Sequence, residues 1–283
     1  MAQFTNQATI SYTGGEAASN IVTGEITQAL VMTKTAAQEC YRQGDVLTYV
    51  ISLRNTGTTA LSGLTVTDNL GEYEFGEGSL VPLSYAGLVL YYVNGVLQTA
   101  PTVTAGPPLA ITGIEVPAGG SAVIVYRVRT GETAPLGEEA TITNTATVTG
   151  AGILTPATAE SAVGACTGVV LAIAKALAPT SVAENGRVTY TFTISNNGVT
   201  AADEAAGIVF SDTFDPKLSD ITVTLNGAAW AETGNYTYDE ATGVFTTVAG
   251  RITVPAATFT QNAATGVWST VPGEAVLEIS GTI

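Results

Sequence analysis

The sequence has no histidine, and only 9 of its 283 residues are Lys or Arg, against 24 Asp or Glu. Histidine is the commonest general base and metal ligand near neutral pH, so its absence points away from an enzyme. Basic residues this scarce, in a chain of net charge −15, point away from nucleic acid and from anionic membrane, both of which call for clustered Lys and Arg. Two cysteines without neighbouring ligands make no metal site. There is no Ser-His-Asp set, no Gly-rich phosphate loop and no zinc spacing, so no cofactor and no small-molecule substrate is indicated. No apolar run approaches the roughly 20 residues of a membrane span. Met1-Ala2-Gln3 lacks the basic and apolar regions of a signal peptide. Either a signal has been removed and Met1 stands in its place, or the protein leaves its cell another way. The C-terminus carries no wall-sorting or lipid-anchor pattern, and attachment is expected through other subunits.

Helical periodicity is missing as well: no long stretch places apolar residues at i, i+3, i+4 and i+7. Period-two alternation dominates, which makes the protein all-β. The length suits two domains, each with its own core.

The sequence repeats itself. Thr48-Tyr49-Val50-Ile51-Ser52-Leu53-Arg54-Asn55-Thr56-Gly57 matches Thr189-Tyr190-Thr191-Phe192-Thr193-Ile194-Ser195-Asn196-Asn197-Gly198, and Leu64 to Leu70 matches Ile208 to Phe214. Tyr92-Val93-Asn94-Gly95 answers Thr224-Leu225-Asn226-Gly227, each Asn-Gly marking a two-residue hairpin turn. Ser121 to Tyr126 answers Glu274 to Ile279. The first copy continues into Thr141–Thr149 and Ala157–Val163, for which the second copy shows no counterpart after Ile283. That pair is found instead at the front: Phe4-Thr5-Asn6-Gln7-Ala8-Thr9-Ile10-Ser11-Tyr12 repeats the text of Ile142-Thr143-Asn144-Thr145-Ala146-Thr147-Val148-Thr149, followed by a Gly14-Gly15 turn and a second strand, Ala18 to Ile26.

Residues 1–26 therefore read as a displaced hairpin, 27–165 as a complete sandwich and 166–283 as a sandwich lacking its last strands. A sandwich with such a gap exposes a core groove and unpaired backbone groups, which the hairpin of another copy would close. Donor and acceptor lie at opposite ends of the chain, so the contact is head-to-tail and gives open filaments or rings: the expected partner is the protein itself. Self-complementation through a short linker near Ile26–Ala29 is the intramolecular alternative.

Gly44-Asp45-Val46-Leu47-Thr48-Tyr49, the Asn-Thr-Gly after it, Val66-Thr67-Asp68-Asn69-Leu70 and the late Thr143-Asn144-Thr145-Ala146 together resemble the Ig-like repeat of bacterial surface proteins. The resemblance covers nearly the whole chain, more strongly in the first copy; the middle of the second, Ala256 to Val271, carries an insertion. It implies two tandem immunoglobulin-like sandwiches on a cell or spore exterior, used as a stalk or fibre module. A stalk or adhesin fragment of a longer surface protein is the other reading.

Only three lysines occur, and two hold equivalent strand positions. Lys34 is in phase with Leu30 and Met32, and Lys175 with Leu171 and Ile173, so period two aims both amines at the core. Asp68 and Asp212 point inward by the same test, as do Asn144 and Asn6. Such a Lys–Asp–Asn set resembles the intramolecular isopeptide sites of collagen-adhesin-type domains. There an apolar setting lowers the Lys pKa, raises that of the acid, and lets the amine attack the carboxamide. The resemblance implies one site of Lys34, Asp68 and Asn144, and a second of Lys175 and Asp212 with Asn6 of the next copy. The alternative is a buried salt bridge, with the Asn capping a strand edge.

Counting strands alternately up and down brings Cys40 and Cys166 to one pole, where a bridge would favour an oxidising exterior; free thiols or an intermolecular pair are the alternatives. Glu72, Glu74 and Glu77, and Asp203-Glu204, lack the alternation of a calcium loop and read as solvated surface. Tyr91, Tyr92, Trp230 and Trp268 read as core or hairpin packing before a carbohydrate platform.

Overall fold

The computed structural model describes residues 2–26 and 28–283; Met1 and Thr27, the latter within the expected linker, lie outside the described residues. The chain is all-β. Two compact units are present, one of residues up to Ala134 with Thr141–Gly164, the other of Ala165–Ile283 with Pro135–Ala140. The Pro135–Ala140 loop, read from sequence as part of the first domain, groups with the second.

The first unit is a two-layer sandwich. One sheet runs Val96–Leu97, Leu83–Val93, Ser121–Thr130, Val46–Asn55, Leu30–Ala36; the other runs Thr102–Thr104, Leu109–Val116, Leu61–Asp68, Thr141–Thr149, Ala157–Ala165, Cys40–Tyr41. Alternation does the sorting: in Val46–Asn55 every second residue from Leu47 to Asn55 is buried, and in Thr141–Thr149 the buried set is Ile142, Asn144, Ala146 and Val148. Successive side chains leave opposite faces of a pleated strand, so each strand gives one face to the core.

The second unit repeats the first sheet in the same spatial order: Ala228–Ala229, Ser219–Leu225, Gly273–Thr282, Arg187–Asn196, Leu171–Ala178. Asn94–Gly95 and Asn226–Gly227, all four at positive φ, make the expected hairpin turns. A buried Asn recurs too. Asn55 Nδ2 donates to the carbonyls of Thr59 and Val116, and Asn196 Nδ2 to those of Thr200 and Pro255. Each Oδ1 accepts the N–H two residues on, at Gly57 and Gly198.

The second sheet of this unit holds three strands, Ser211–Thr213, Val244–Thr247 and Tyr236–Asp239, and closes a core of Phe192, Phe210, Phe214, Phe245, Leu277 and Ile279 with the first. Counterparts of Thr141–Thr149, Ala157–Ala165 and Cys40–Tyr41 are not found among its described residues. This shortens a strand. Ile208–Phe214 is expected by its match to Leu64–Leu70, yet only Ser211–Thr213 forms strand, since it is laddered on one side while Leu61–Asp68 is laddered on both. The insertion after Ala256 is a separate hairpin, Thr258–Gln261 with Trp268–Val271.

Residues 2–26 form a hairpin whose described side chains are exposed, Gly24 alone being half-buried. The turn falls at Thr13–Gly14, not Gly14-Gly15: Gly15 lies opposite Tyr12, whose hydroxyl would stand 3.0 Å from any Cβ placed there. Likewise the ring of Phe4 lies across Gly24. Both strands are broken, the first into Ala2–Asn6 and Thr9–Tyr12 and the second into Gly15–Ala18 and Val22–Ile26. Asn6 faces Val22 while Thr9 faces Ala18, so Gln7–Ala8 oppose Ser19–Ile21, a β-bulge with its extra residue in the second strand.

Candidate functional site

In the first unit Lys34 projects from one sheet and Asp68 from the other. Their side chains are 0% and 1% exposed, with Nζ 2.6 Å from Asp68 Oδ2. The same Oδ2 accepts the hydroxyl of Tyr126, and Oδ1 accepts the N–H of Leu70 at 2.8 Å. Three donors thus meet one carboxylate, which is what a buried charge requires. Lys34 Nζ also lies 4.7 Å from the centre of the Tyr49 ring, and that ring stacks with Tyr126 at 5.9 Å. Burial lowers the Lys34 pKa to about 8, against the opposing pull of Asp68. A neutral amine is therefore accessible near physiological pH.

Asn144 comes from the strand beside Asp68. Ala146 is opposite Asp68, and Asn144 is two residues along on the same face. Its Oδ1 accepts the N–H of Gly71 at 3.2 Å, and its Nδ2 is buried together with the Tyr49 hydroxyl. Tyr49 and Tyr126 both feel this carboxamide: burial raises the pKa of each, and Asn144 partly offsets the rise. The arrangement suits acyl transfer. The carbonyl is polarised by a backbone donor, and an amine of lowered pKa sits in the same cluster.

Tyr49 and Tyr126 have no role in the sequence reading. Their signal was present, since each is a polar-tipped residue in phase with inward Leu47 and Ile51, or Ile124 and Val128, and a buried Tyr hydroxyl normally needs a partner.

In the second unit Lys175 Nζ lies 2.6 Å from Asp212 Oδ2, but these side chains are 45% and 21% exposed. The rings of Tyr190, Phe192 and Phe214 stand 4.8, 5.3 and 5.6 Å from the amine. Tyr190 is the counterpart of Tyr49, but Ile279 stands opposite it where Tyr126 stands opposite Tyr49. Asp212 Oδ1 accepts the N–H of Thr213. Asn6 is exposed on the hairpin, opposite Val22. The structure thus brings Lys34, Asp68 and Asn144 into one cluster and pairs Lys175 with Asp212, while Asn6 remains on the surface of the hairpin.

Cys40 and Cys166, the chain's two cysteines, are disulfide-bonded. Tyr91 is buried, its hydroxyl donating to the Glu115 carbonyl, and Trp230 packs on the second core. Among the described residues no cluster of His, Cys, Asp and Glu is placed to hold a metal, and no helix is long and apolar enough to cross a membrane.

No protein-family model and no curated relative matches the chain. Among solved structures, it is similar to BcpA, the major pilin subunit of Bacillus cereus, at 12% identity and TM-score 0.35, over 95% of this chain and 73% of that one. The pilus backbone RrgB of Streptococcus pneumoniae is similar at 12% identity and TM-score 0.32, over 86% of this chain and 55% of its own length. A family 123 glycoside hydrolase from Clostridium perfringens is similar at 10% identity and TM-score 0.30, over 48% of this chain and 28% of its own length. The chain thus spans about half the length of the pneumococcal protein and less of the hydrolase.

Proposed function

We propose that the protein is a non-enzymatic structural subunit of a bacterial extracellular filament, in which the N-terminal hairpin of one copy completes the second domain of the next. One contrast carries the reading. Leu30 and Met32 are 3% and 8% exposed in the first sandwich, whereas their counterparts Leu171 and Ile173 are 41% and 57% exposed. The hairpin that repeats the covering strands is as bare, with Phe4 at 54%, Ile10 at 66% and Val22 at 55%. Burying each such side chain contributes about 1.5–3 kcal/mol, so the two surfaces have a common reason to meet. The disulfide fits an oxidising exterior.

Covalent sealing is part of the proposal. Neutral Lys34 attacks the Asn144 carboxamide carbon, the bond from that carbon to Nδ2 breaks, and ammonia leaves as the amine proton passes to the departing nitrogen with Asp68 as relay. Lys175 and Asp212 would do the same with Asn6 of the neighbouring copy.

Negative-stain electron microscopy of the full chain and of a chain lacking residues 1–26 tests the assembly. Filaments in the first and none in the second are expected; monomers in both would favour a stalk module of a longer adhesin. Mass spectrometry should find one ammonia lost per bond, and full dissociation to monomers of intact mass in hot detergent would remove the covalent part.

A further inference from the structure

Resting on that reading, we infer a single register for the strand exchanged between copies: Thr9 of the hairpin lies opposite Ser211 of its neighbour, with Ala8 opposite Asp212, Ile10 opposite Phe210 and Ser11 opposite Val209. In the first unit Ala146, Thr147, Val148 and Thr149 face Asp68, Thr67, Val66 and Thr65. Carrying both strands to their repeats gives the stated pairs.

The backbone supports this independently of the repeat. The carbonyls of Ile208 and Phe210 are used by Gly250 and Thr247, and the Phe214 N–H donates to Gly243. Backbone groups of a strand alternate sides. Val209, Ser211 and Thr213 therefore present theirs to the opposite, unladdered edge. On the hairpin, the Ala8 carbonyl accepts from Ser19 and the Ala8 N–H donates to Ser19 Oγ, so Gln7, Thr9 and Ser11 turn theirs outward. The two open edges have matching parity at the inferred register. Both strands of the hairpin are interrupted at this point, the first at Gln7–Ala8 and the second at Ser19–Ile21, and the two bonds from Ala8 to Ser19 set the parity of the first strand there.

One donor marks the empty place. In the first unit the Asn69 N–H donates to the carbonyl of Thr145. Its counterpart, Thr213 N–H, has no such strand beside it and turns to Asp212 Oδ1 at 3.0 Å. In the assembled form it exchanges that carboxylate for the carbonyl of Gln7. Parity alone also permits a slip of two residues, but a slip moves Asn6 by about 7 Å along the strand, away from Lys175 and Asp212. The register is what places the carboxamide on the amine.

Paired cysteines read it. Thr9 and Ser211 are exposed, and directly opposed strand residues are within disulfide reach. In an Asn6→Ala background, which removes the other covalent link, Thr9→Cys with Ser211→Cys should give an oxidised ladder that collapses on reduction. Thr9→Cys with Val209→Cys or with Thr213→Cys should remain monomeric in denaturing gels. Ladders from either shifted pair overturn the register and leave strand donation standing. A cross-linked monomer means that the hairpin folds onto its own chain. No cross-link from any pair, together with no filaments, overturns register and donation alike.

Discussion

The strands Leu30–Ala36 and Leu171–Ala178 carry nearly the same text, Leu-x-Met-x-Lys against Leu-x-Ile-x-Lys, and pair with equivalent neighbours in equivalent sheets. One alternates buried and exposed; the other is exposed throughout. The difference is not in the strands. A strand's pleat decides which side chains share a face, and a second layer decides whether that face is covered. In the first unit the layer is supplied from Thr141 onward, and in the second the equivalent place is open among the described residues.

The two ion pairs offer the largest test of this contrast. Asp68→Asn strands a buried Lys34 and should destabilise the first unit by about 3–5 kcal/mol in urea unfolding, whereas Asp212→Asn in the hairpin-deleted monomer should change stability by about 0–1 kcal/mol. Equal effects would break the comparison. Next is Met32→Ala against Ile173→Ala: about 2–5 kcal/mol for the buried residue, and within about 0.5 kcal/mol for the bare one in the monomer. Ile173→Ala should become costly once filaments form, seen as a higher critical concentration for assembly.

A pH effect of on the order of 3 kcal/mol or less is expected from Lys34 in an Asn144→Ala chain, which cannot seal. The folded pKa, about 8, lies below the ordinary lysine value of 10.5, so the unfolded chain holds the proton to higher pH. Stability should therefore rise from about pH 8 towards pH 10, before the buried tyrosines, whose folded pKa values are raised, begin to oppose it. A flat profile would place Lys34 in solvent. Among changes in the first unit the smallest should come from Tyr126→Phe, about 1.5–3 kcal/mol for a hydrogen bond to a charged group. The second unit already has Ile279 at that place and should be insensitive to Ile279→Val beyond about 1 kcal/mol.

Much of the fold was legible because alternation is local. Lys34, Asp68 and Asn144 were assigned inward from their own strands, and all three are buried; the Asn-Gly pairs gave their turns. The same test assigned Lys175 and Asp212 inward, and their direction holds in the ion pair and the ring contacts, but their burial does not. Gly14-Gly15 was misplaced by one residue since the pairing that puts Gly15 in the strand, opposite Tyr12, is a cross-strand relation. The bulge at Ser19–Ile21 was invisible for the same reason: a register shift is a relation between two strands, and neither carries it alone. Tyr126 was overlooked because its partner, Asp68, lies 58 residues away.

What the sequence determined by itself was the all-β character, the repeat, and the direction of each side chain, all consequences of a two-residue period and short-range turn chemistry. Tertiary structure alone decided that three donors converge on Asp68, and that Leu171, Ile173 and Lys175 stand open beside an unladdered edge. Coverage depends on what packs opposite, and that layer comes from residues more than a hundred positions away in the chain.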